Sequence, residues 1–337
     1  MTRTVVVGAG NWGTTFAKVL ADAGNDVTLL ARRAEVAQQI NGTHVNAQYL
    51  PDIELPARLT ASTDEAQLAG ASHVFLSVPS QHLRATVARL ARYLQPETVL
   101  VSLIKGLERG SMLRMSQVII SEIDWDADAL AVLSGPNIAH EIALEQPAAA
   151  AVASSDPVVA EQVAQLVTNR YFSGFANNDV VGTEYGGVLK NLIAVAVGIV
   201  TGAGYGENTK ASIITRGLDE ISRFAVALGG QPETLMGLAG LGDLIATCES
   251  PLSRNHTAGR LLGEGHPLTE VVERMEQTAE GLSSVRPVLD LAFEHGVDMP
   301  IVTQVSNVLD GSLRPADLTP HITPRNDEVA PGAPRYR

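Results

Sequence analysis

The 337-residue chain is poor in cysteine, with Cys248 standing alone. A single thiol forms no internal disulfide and no thiolate metal cluster, and such sparing use points to a reducing compartment. The eight histidines fall at no metal-ligand spacing, and His140-Glu141 lacks the second histidine of a zincin helix. No metal is expected. There is no G-x-S-x-G elbow and no Walker A loop, which argues against acyl transfer and nucleotide hydrolysis. No internal repeat is visible, and aromatic residues are few. Basic residues are also in the minority: 24 Lys and Arg face 37 Asp and Glu, for a net charge of −13. That balance predicts no nucleic-acid partner, and it means that any anionic ligand must be met by a local basic pocket. The N-terminus MTRTVVVGAG runs straight into a strand pattern with no secretory leader, so a cytoplasmic protein is expected. The most apolar run, Val188 to Val200, is shorter than the roughly 20 residues that cross a bilayer, so no membrane insertion is expected.

What is present suggests two domains. Thr4–Val7 is a short β-branched run, followed at once by Gly8-Ala9-Gly10-Asn11-Trp12-Gly13 and an amphipathic segment from Thr14 to Ala23. Strand, glycine turn and helix are the context in which G-x-G-x-x-G binds a dinucleotide. Gly8 permits the tight turn, Gly10 admits a pyrophosphate to the backbone, and Gly13 lets the helix pack on the strand. The helix N-terminus then offers free N–H groups to the phosphates. The second strand, Val27–Leu30, ends at Arg32-Arg33, where an NAD-binding protein would carry an acidic residue for the ribose 2′-hydroxyl. Two arginines there suit the 2′-phosphate of NADP.

After a helix and the irregular loop NAQYLPDIELP, alternating elements resume. Strands are predicted at His73–Val78, Val99–Ile104, Ala129–Leu133, Ala148–Ala153 and Tyr171–Phe175, and helices at Gln81–Tyr93, Ser111–Glu122 and Pro157–Thr168. A short helix should also follow Ser134-Gly135-Pro136-Asn137. Such alternation predicts an α/β domain over 1–180 whose sheet is mostly parallel and covered on both faces. Ligands of these sheets bind beyond the carboxyl ends of the strands, which selects Pro79, Lys105 and Gly135–Asn137. From about Asp179 the apolar periods become helical, predicting an all-α domain over 181–318. The proline-rich 319–337 reads as a disordered tail.

The second half is organised around Glu184 to Gly206. Between Val188 and Val200 the only polar side chains are Lys190 and Asn191, and a helix apolar on every side has to be buried. A buried ammonium is costly unless it is paired or lines a wet cavity, and a desolvated lysine exchanges its proton more readily. The plainer reading is that Lys190 snorkels or pairs with Glu184. Two further polar clusters sit in glycine-rich turns or at helix starts. Gly240-Leu241-Gly242-Asp243 presents a carboxylate where close backbone approach is allowed. Ser253-Arg254-Asn255 combines an N-cap with an arginine, as a phosphate site would. Asp243 and Ser253 can equally be simple helix caps.

The segments GAGNWGTTFA, IKGLE, SGPN, EYGGVLKNLIAVAVGIVTGAGYGENTKASIITRGLDEISR, MGLAGLGDLIATC and SRNHTAGRLLG resemble those of the bacterial NAD(P)-dependent glycerol-3-phosphate dehydrogenases. The likeness runs to about Leu309. It implies a Rossmann domain followed by a helical domain of the 6-phosphogluconate dehydrogenase type. It also implies reversible hydride transfer between dihydroxyacetone phosphate and sn-glycerol 3-phosphate, feeding phospholipid synthesis, and is compatible with a homodimer. By position, the resemblance makes Lys190 the proton donor and acceptor. It assigns Lys105, Gly135, Asn137, Asp243, Ser253, Arg254 and Asn255, with Lys190, to the substrate. It assigns Asn11, Trp12, Arg32, Arg33, Tyr49, Lys105, Ala139, Arg254 and Glu280 to NADP(H) or NAD(H). Asn11 stands where the family usually has serine and Asn137 where it has serine or threonine, and both keep hydrogen-bonding capacity. The segment Ser102-Leu103-Ile104 before Lys105 is also less typical. Two other readings stay open on the residues: a dehydrogenase of another phosphorylated or carboxylated hydroxy compound, and a cofactor-binding regulator without turnover. The regulator would need none of Lys190, Lys105 and Arg254.

Overall fold

The structure, a computed structural model, describes residues 2–275 and 280–318. The predicted tail at 319–337 lies outside the described residues. The chain forms two compact units. One takes the described residues up to Val188 together with Ala225–Ala246; the other takes Leu189–Phe224 and the described residues from Thr247 onward.

The first unit is built on one eight-stranded sheet. Its strands are β1 (Arg3–Val7), β2 (Asp26–Leu30), β3 (Leu59–Ser62), β4 (His73–Leu76), β5 (Val99–Ser102), β6 (Leu130–Ser134), β7 (Ala148–Ala153) and β8 (Phe172–Asn177). Their spatial order is β3-β2-β1-β4-β5-β6-β7-β8. Every pairing is parallel except the antiparallel pair of β6 with β7. Helices cover both faces, so the strands read as nearly continuous apolar runs. The two-residue period of β1 divides its valines: Val6 joins a core with Phe16, Phe75 and Phe172, while Val5 and Val7 join another with Leu83, Val87 and Met115. Three phenylalanines meet in the first of these cores. Phe16 lies 5.3 Å from Phe75 and 5.9 Å, edge to face, from Phe172, separations at which ring pairs add stability beyond burial.

The helices of this sheet are α1 (Asn11–Asp22), α2 (Ala34–Thr43), α3 (Leu83–Leu90), α4 (Met115–Ile123), α5 (Ala139–Ala143) and α6 (Pro157–Val167). Helix α4 starts four residues later than its apolar pattern suggests. Gly110 and Met112 both take positive φ, folding Leu107–Arg114 into a turn closed by the Glu108 N–H on the Leu113 carbonyl at 3.0 Å.

Helix α7 (Val180–Gly202) extends the predicted core helix towards its N-terminus. Asp179 explains the early start, because its Oδ1 accepts from the Gly182 N–H at 2.7 Å as a good N-cap does. At 23 residues, α7 is long and apolar enough to cross a membrane by length and composition, unlike the shorter run counted from the sequence. Its most apolar window, however, is 89% buried within the protein, as befits a core helix. Glu184 does not serve Lys190. Its carboxylate takes the Ser116 N–H at 2.9 Å and the Ser116 hydroxyl at 2.5 Å, and it pairs with Arg114. It therefore caps α4 from a distance.

Helices α8 (Glu207–Ala227), α9 (Pro232–Leu235), α10 (Asp243–Glu249), α11 (Arg254–Gly263), α12 (Leu268–Arg274), α13 (Glu280–Glu294) and α14 (Pro300–Leu309) follow among the described residues. In the second unit, α7 and α11 cross in backbone contact. A Cβ on Gly198 would stand 2.2 Å from the His256 carbonyl oxygen, and one on Gly259 2.1 Å from that of Val195. Gly202 and Gly263 repeat the arrangement one turn on. Close packing of this kind is why the sequence spaces glycines by four on both helices.

Also in the second unit, Glu220 of α8 is buried and accepts from the Ile301 N–H at 2.7 Å and the Val302 N–H at 3.4 Å. It thereby satisfies the first turn of α14, where Met299 offers no capping side chain. Burial pushes this carboxyl up from 4.5 to about 7, against the pull of the two N–H groups. The folded state therefore holds the proton more tightly than the unfolded chain. The stability gained is complete below pH 4.5 and is lost as pH rises through about 7. Glu220→Gln should flatten the fall in thermal midpoint across that window. A wild-type stability that instead climbs from pH 5 to pH 7, with the variant unchanged in slope, would contradict the assignment.

Candidate active site

The order of the sheet reverses at β1, which lies between β2 and β4, and open α/β sheets bind ligands at such switch points. A cleft of about 760 Å³ opens there, beyond the carboxyl ends of these three strands. It brings together Gly8, Gly10, Arg32, Arg33 and Tyr49 from the expected set, with Pro79 on the β4 side. Asn11, Trp12 and Gly13 follow in the first turn of α1, and Trp12 packs on Phe16 at 5.3 Å. Ala139 begins α5, where its carbonyl oxygen accepts from the Thr15 hydroxyl at 3.3 Å.

The three glycines divide their work by geometry. Gly8 has φ +111°, and a Cβ there would lie 2.2 Å from the Ser77 carbonyl oxygen. A Cβ on Gly13 would lie 1.9 Å from the carbonyl oxygen of Gly8, whereas one on Gly10 would meet nothing within 4 Å. The space over Gly10 is the space that a pyrophosphate needs. Gly10 also caps α1 without a side-chain acceptor, so the positive end of the helix is left for an anion. These features fit a dinucleotide cofactor.

Arg32 and Arg33 reach the cleft from the end of β2, and the Arg33 guanidinium donates to Gln48 Oε1. Asn46 was not singled out in the sequence beyond opening the loop NAQYLPDIELP. It is wholly buried, and its amide donates to the Ala9 carbonyl at 3.2 Å and to Thr14 Oγ1 at 2.8 Å. That side chain ties the loop carrying Gln48 and Tyr49 to the glycine turn.

A second group forms within the first unit, where Lys105, just past β5, meets α10. Its ammonium donates to Asp243 Oδ2 at 2.6 Å and to the Gly135 carbonyl at 2.9 Å. Asp243 is 1% exposed, and a buried carboxylate needs such a partner. The predicted glycine turn before Asp243 is in fact a π-helical segment, Leu238–Gly242, a form frequent at functional sites. It requires glycine, since a Cβ on Gly240 would lie 2.0 Å from the Leu235 carbonyl oxygen. Two glycines of α7 are shaped to this neighbourhood. A Cβ on Gly186 would press on the Ala239 carbonyl, and one on Gly187 on the Ser134 hydroxyl and the Lys105 stem. Gly135 likewise packs against the backbone of Ala149 and Ala150. Asn137 donates to the Ala149 carbonyl at 3.3 Å. Its Oδ1 and the Ser134 hydroxyl are buried with no hydrogen-bond partner among the described residues, and buried polar atoms of this kind call for a partner such as water or a ligand.

A third group belongs to the second unit. Lys190 is 7% exposed, and its Nζ donates to Thr247 Oγ1 at 2.8 Å. Asn255 Oδ1 accepts from the Gly281 N–H at 2.9 Å. A Cβ on Gly281 would stand 2.9 Å from the Asn191 carbonyl oxygen, so Asn191, Asn255 and the start of α13 are closely packed. Ser253 caps α11, accepting from the His256 N–H at 3.3 Å, and Arg254 opens that helix in an exposed position. Glu280 opens α13, and its side chain lies outside the described residues. Thr247 was visible in MGLAGLGDLIATC, but nothing local marked it as the partner of Lys190. Among the described residues, no three His, Cys, Asp or Glu side chains gather as a metal site would require.

Comparison with known proteins places the chain in a family. The model of the NAD-dependent glycerol-3-phosphate dehydrogenase N-terminus matches residues 3–160, and that of the C-terminus matches residues 179–320. The glycerol-3-phosphate dehydrogenase [NAD(P)+] of Leifsonia xyli subsp. xyli is 60% identical over 319 residues, 94% of this chain and 86% of that protein. The Streptomyces griseus protein of the same name is 54% identical, covering 91% of this chain and 92% of its own. Among solved structures, the glycerol-3-phosphate dehydrogenase of Coxiella burnetii superposes with a TM-score of 0.87 at 35% identity, covering 94% of this chain and 97% of that one. With both halves matched and relatives this similar along nearly the whole length, the chain belongs to the NAD(P)-dependent glycerol-3-phosphate dehydrogenase family.

Proposed function

We infer that this protein reversibly reduces dihydroxyacetone phosphate to sn-glycerol 3-phosphate with NADPH or NADH, supplying phospholipid synthesis. The observation that carries the reading is Lys190, a buried amine in a mostly apolar stretch of α7, hydrogen-bonded to Thr247. When bound, the nicotinamide supplies the hydride. Lys190 then has the task of holding a proton for the oxygen of the reacting carbonyl, and of accepting it back in the oxidative direction. Thr247 fixes the direction of the amine. Lys105, anchored by Asp243 and the Gly135 carbonyl, is positioned as a hydrogen-bond donor to an oxygen that becomes anionic in the reaction. The unpartnered Asn137 Oδ1 suits a substrate hydroxyl. Asn255 spends its Oδ1 on Gly281, which leaves its NH₂ as the end that can donate to phosphate. With Ser253 and Arg254 at the same helix start, it gives a protein of net charge −13 a local site for a dianion.

The partners are small molecules. No nucleic acid, metal or membrane insertion enters the reading, which is of a soluble cytoplasmic enzyme; a homodimer rests on the resemblance alone. Parallel assays with dihydroxyacetone phosphate, unphosphorylated dihydroxyacetone and carboxylated hydroxy compounds test the substrate. The phosphorylated ketone should be preferred by orders of magnitude, and equal rates with the unphosphorylated one would refute the phosphate site.

The two arginines at the end of β2 carry a prediction of their own. Arg32→Ala with Arg33→Ala should weaken NADPH binding by about tenfold or more while changing NADH little, since charge-assisted contacts to the 2′-phosphate are made by one cofactor only. Cofactor titrations followed by fluorescence measure it. Equal losses for both would remove the 2′-phosphate assignment.

A further inference from the structure

Gln48 faces Arg33 across the mouth of the cofactor cleft, and both side chains line it. The loop that presents Gln48 is pinned rather than loose. Asn46 ties it to Ala9 and Thr14. The Ala47 N–H meets Gln39 Oε1 of α2 at 3.3 Å, and the Leu50 N–H closes a turn on the Asn46 carbonyl at 2.8 Å. Gln48 therefore stands at the tip of a turn whose root is the glycine loop itself. Arg33, for its part, sits in extended backbone just before α2.

The charge around the cleft makes this contact consequential. Of the lining residues, Arg32, Arg33 and Arg89 are cationic and Glu65 is anionic. Glu65 pairs with Arg89, so the cationic surplus rests on Arg32 and Arg33. An amide oxygen can take one guanidinium N–H and fix its direction without cancelling its charge. A carboxylate at the same place would form an ion pair and compete with any phosphate for the same fork of donors.

We propose that Gln48 is a specificity-determining positioning residue: it holds Arg33 towards the 2′-phosphate of NADPH while leaving that arginine's charge uncompensated. The proposal rests on the reading of this cleft as the cofactor site and says which residue there sets the choice between NADPH and NADH. Substrate-free calorimetric titrations of wild type, Gln48→Ala and Gln48→Glu with each cofactor provide the test, alongside kcat and KM for both cofactors. Gln48→Ala should weaken NADPH by about threefold to fivefold, the scale of an exposed charge-assisted contact. Gln48→Glu should weaken it by about tenfold or more by occupying the guanidinium. The NADPH-to-NADH affinity ratio should fall by these factors, because the 2′-phosphate that Arg33 meets is carried by NADPH alone. Thermal melts matched to wild type confirm that the variants fold.

An unchanged NADPH-to-NADH affinity ratio in Gln48→Glu overturns the proposal, as does an equal loss for both cofactors, which would mark Gln48 as merely structural. Wild-type protein that binds NADPH no more tightly than NADH also overturns it, while leaving the dehydrogenase reading intact. Wild-type protein that binds neither cofactor overturns both.

Discussion

Replacing Lys190 with alanine is expected to lower kcat by about 10²–10⁴-fold, the range over which a positioned general acid or base contributes. NADPH should still bind with its wild-type affinity, since the cleft at the sheet is lined by residues of the other unit. The apolar surroundings of α7 make Lys190 costly to keep as a mere structural ammonium. The Thr247 hydroxyl 2.8 Å from its nitrogen fixes where the amine points. Lys190→Arg separates charge from proton transfer. A guanidinium keeps the positive charge but does not release its proton in a protein, so this variant should be nearly as slow as the alanine. Stopped-flow turnover with parallel cofactor titration measures both. Activity of Lys190→Ala within tenfold of wild type would dismiss the proton role, and lost cofactor affinity would point to misfolding instead.

The second large effect concerns stability. In the second unit, Gly259→Ala should cost about 3 kcal/mol, at the upper end of what overpacking a tight contact costs. The new methyl would sit 2.1 Å from the Val195 carbonyl oxygen and 3.0 Å from the Gly198 Cα, so one helix axis must shift. The shift cannot stay local, because Gly198, Gly202 and Gly263 are equally tight against their neighbours. Gly42→Ala in α2 is the matching control. A Cβ there meets nothing within 4 Å, so helix propensity alone should operate and stabilise by up to about 1 kcal/mol. Chemical denaturation of the two variants decides the matter. A Gly259→Ala protein as stable as Gly42→Ala would mean that α7 and α11 do not cross in backbone contact.

The parts of this architecture that were readable in the sequence are those carried by local pattern. The glycine turn between a valine strand and an amphipathic helix, the alternation of strands with helices, and the long apolar run of α7 each follow from neighbours in the chain. Strand β3 was not readable: its four residues LTAS carry only two apolar side chains, and β2 supplies its pairing, Val27 opposite Leu59. The π-helical segment was hidden for a related reason. Glycine disfavours helices, so LAGLG looks like a turn until the Leu235 carbonyl is seen where a Cβ would have to go. Ion-pair partners were the least legible. Glu184 seemed placed for Lys190 six residues on, yet its partners are Arg114 and Ser116, and Lys105 meets Asp243 across 138 positions. Chain proximity says nothing about pairs that only the sheet brings together.

The most direct test of the dehydrogenase assignment is to mix the purified protein with NADPH and dihydroxyacetone phosphate and follow the absorbance of the reduced cofactor. A fall matched mole for mole by glycerol 3-phosphate is predicted, slowed by about 10²–10⁴-fold in Lys190→Ala. Reduced cofactor that is bound yet persists indefinitely in the presence of the ketone would contradict it.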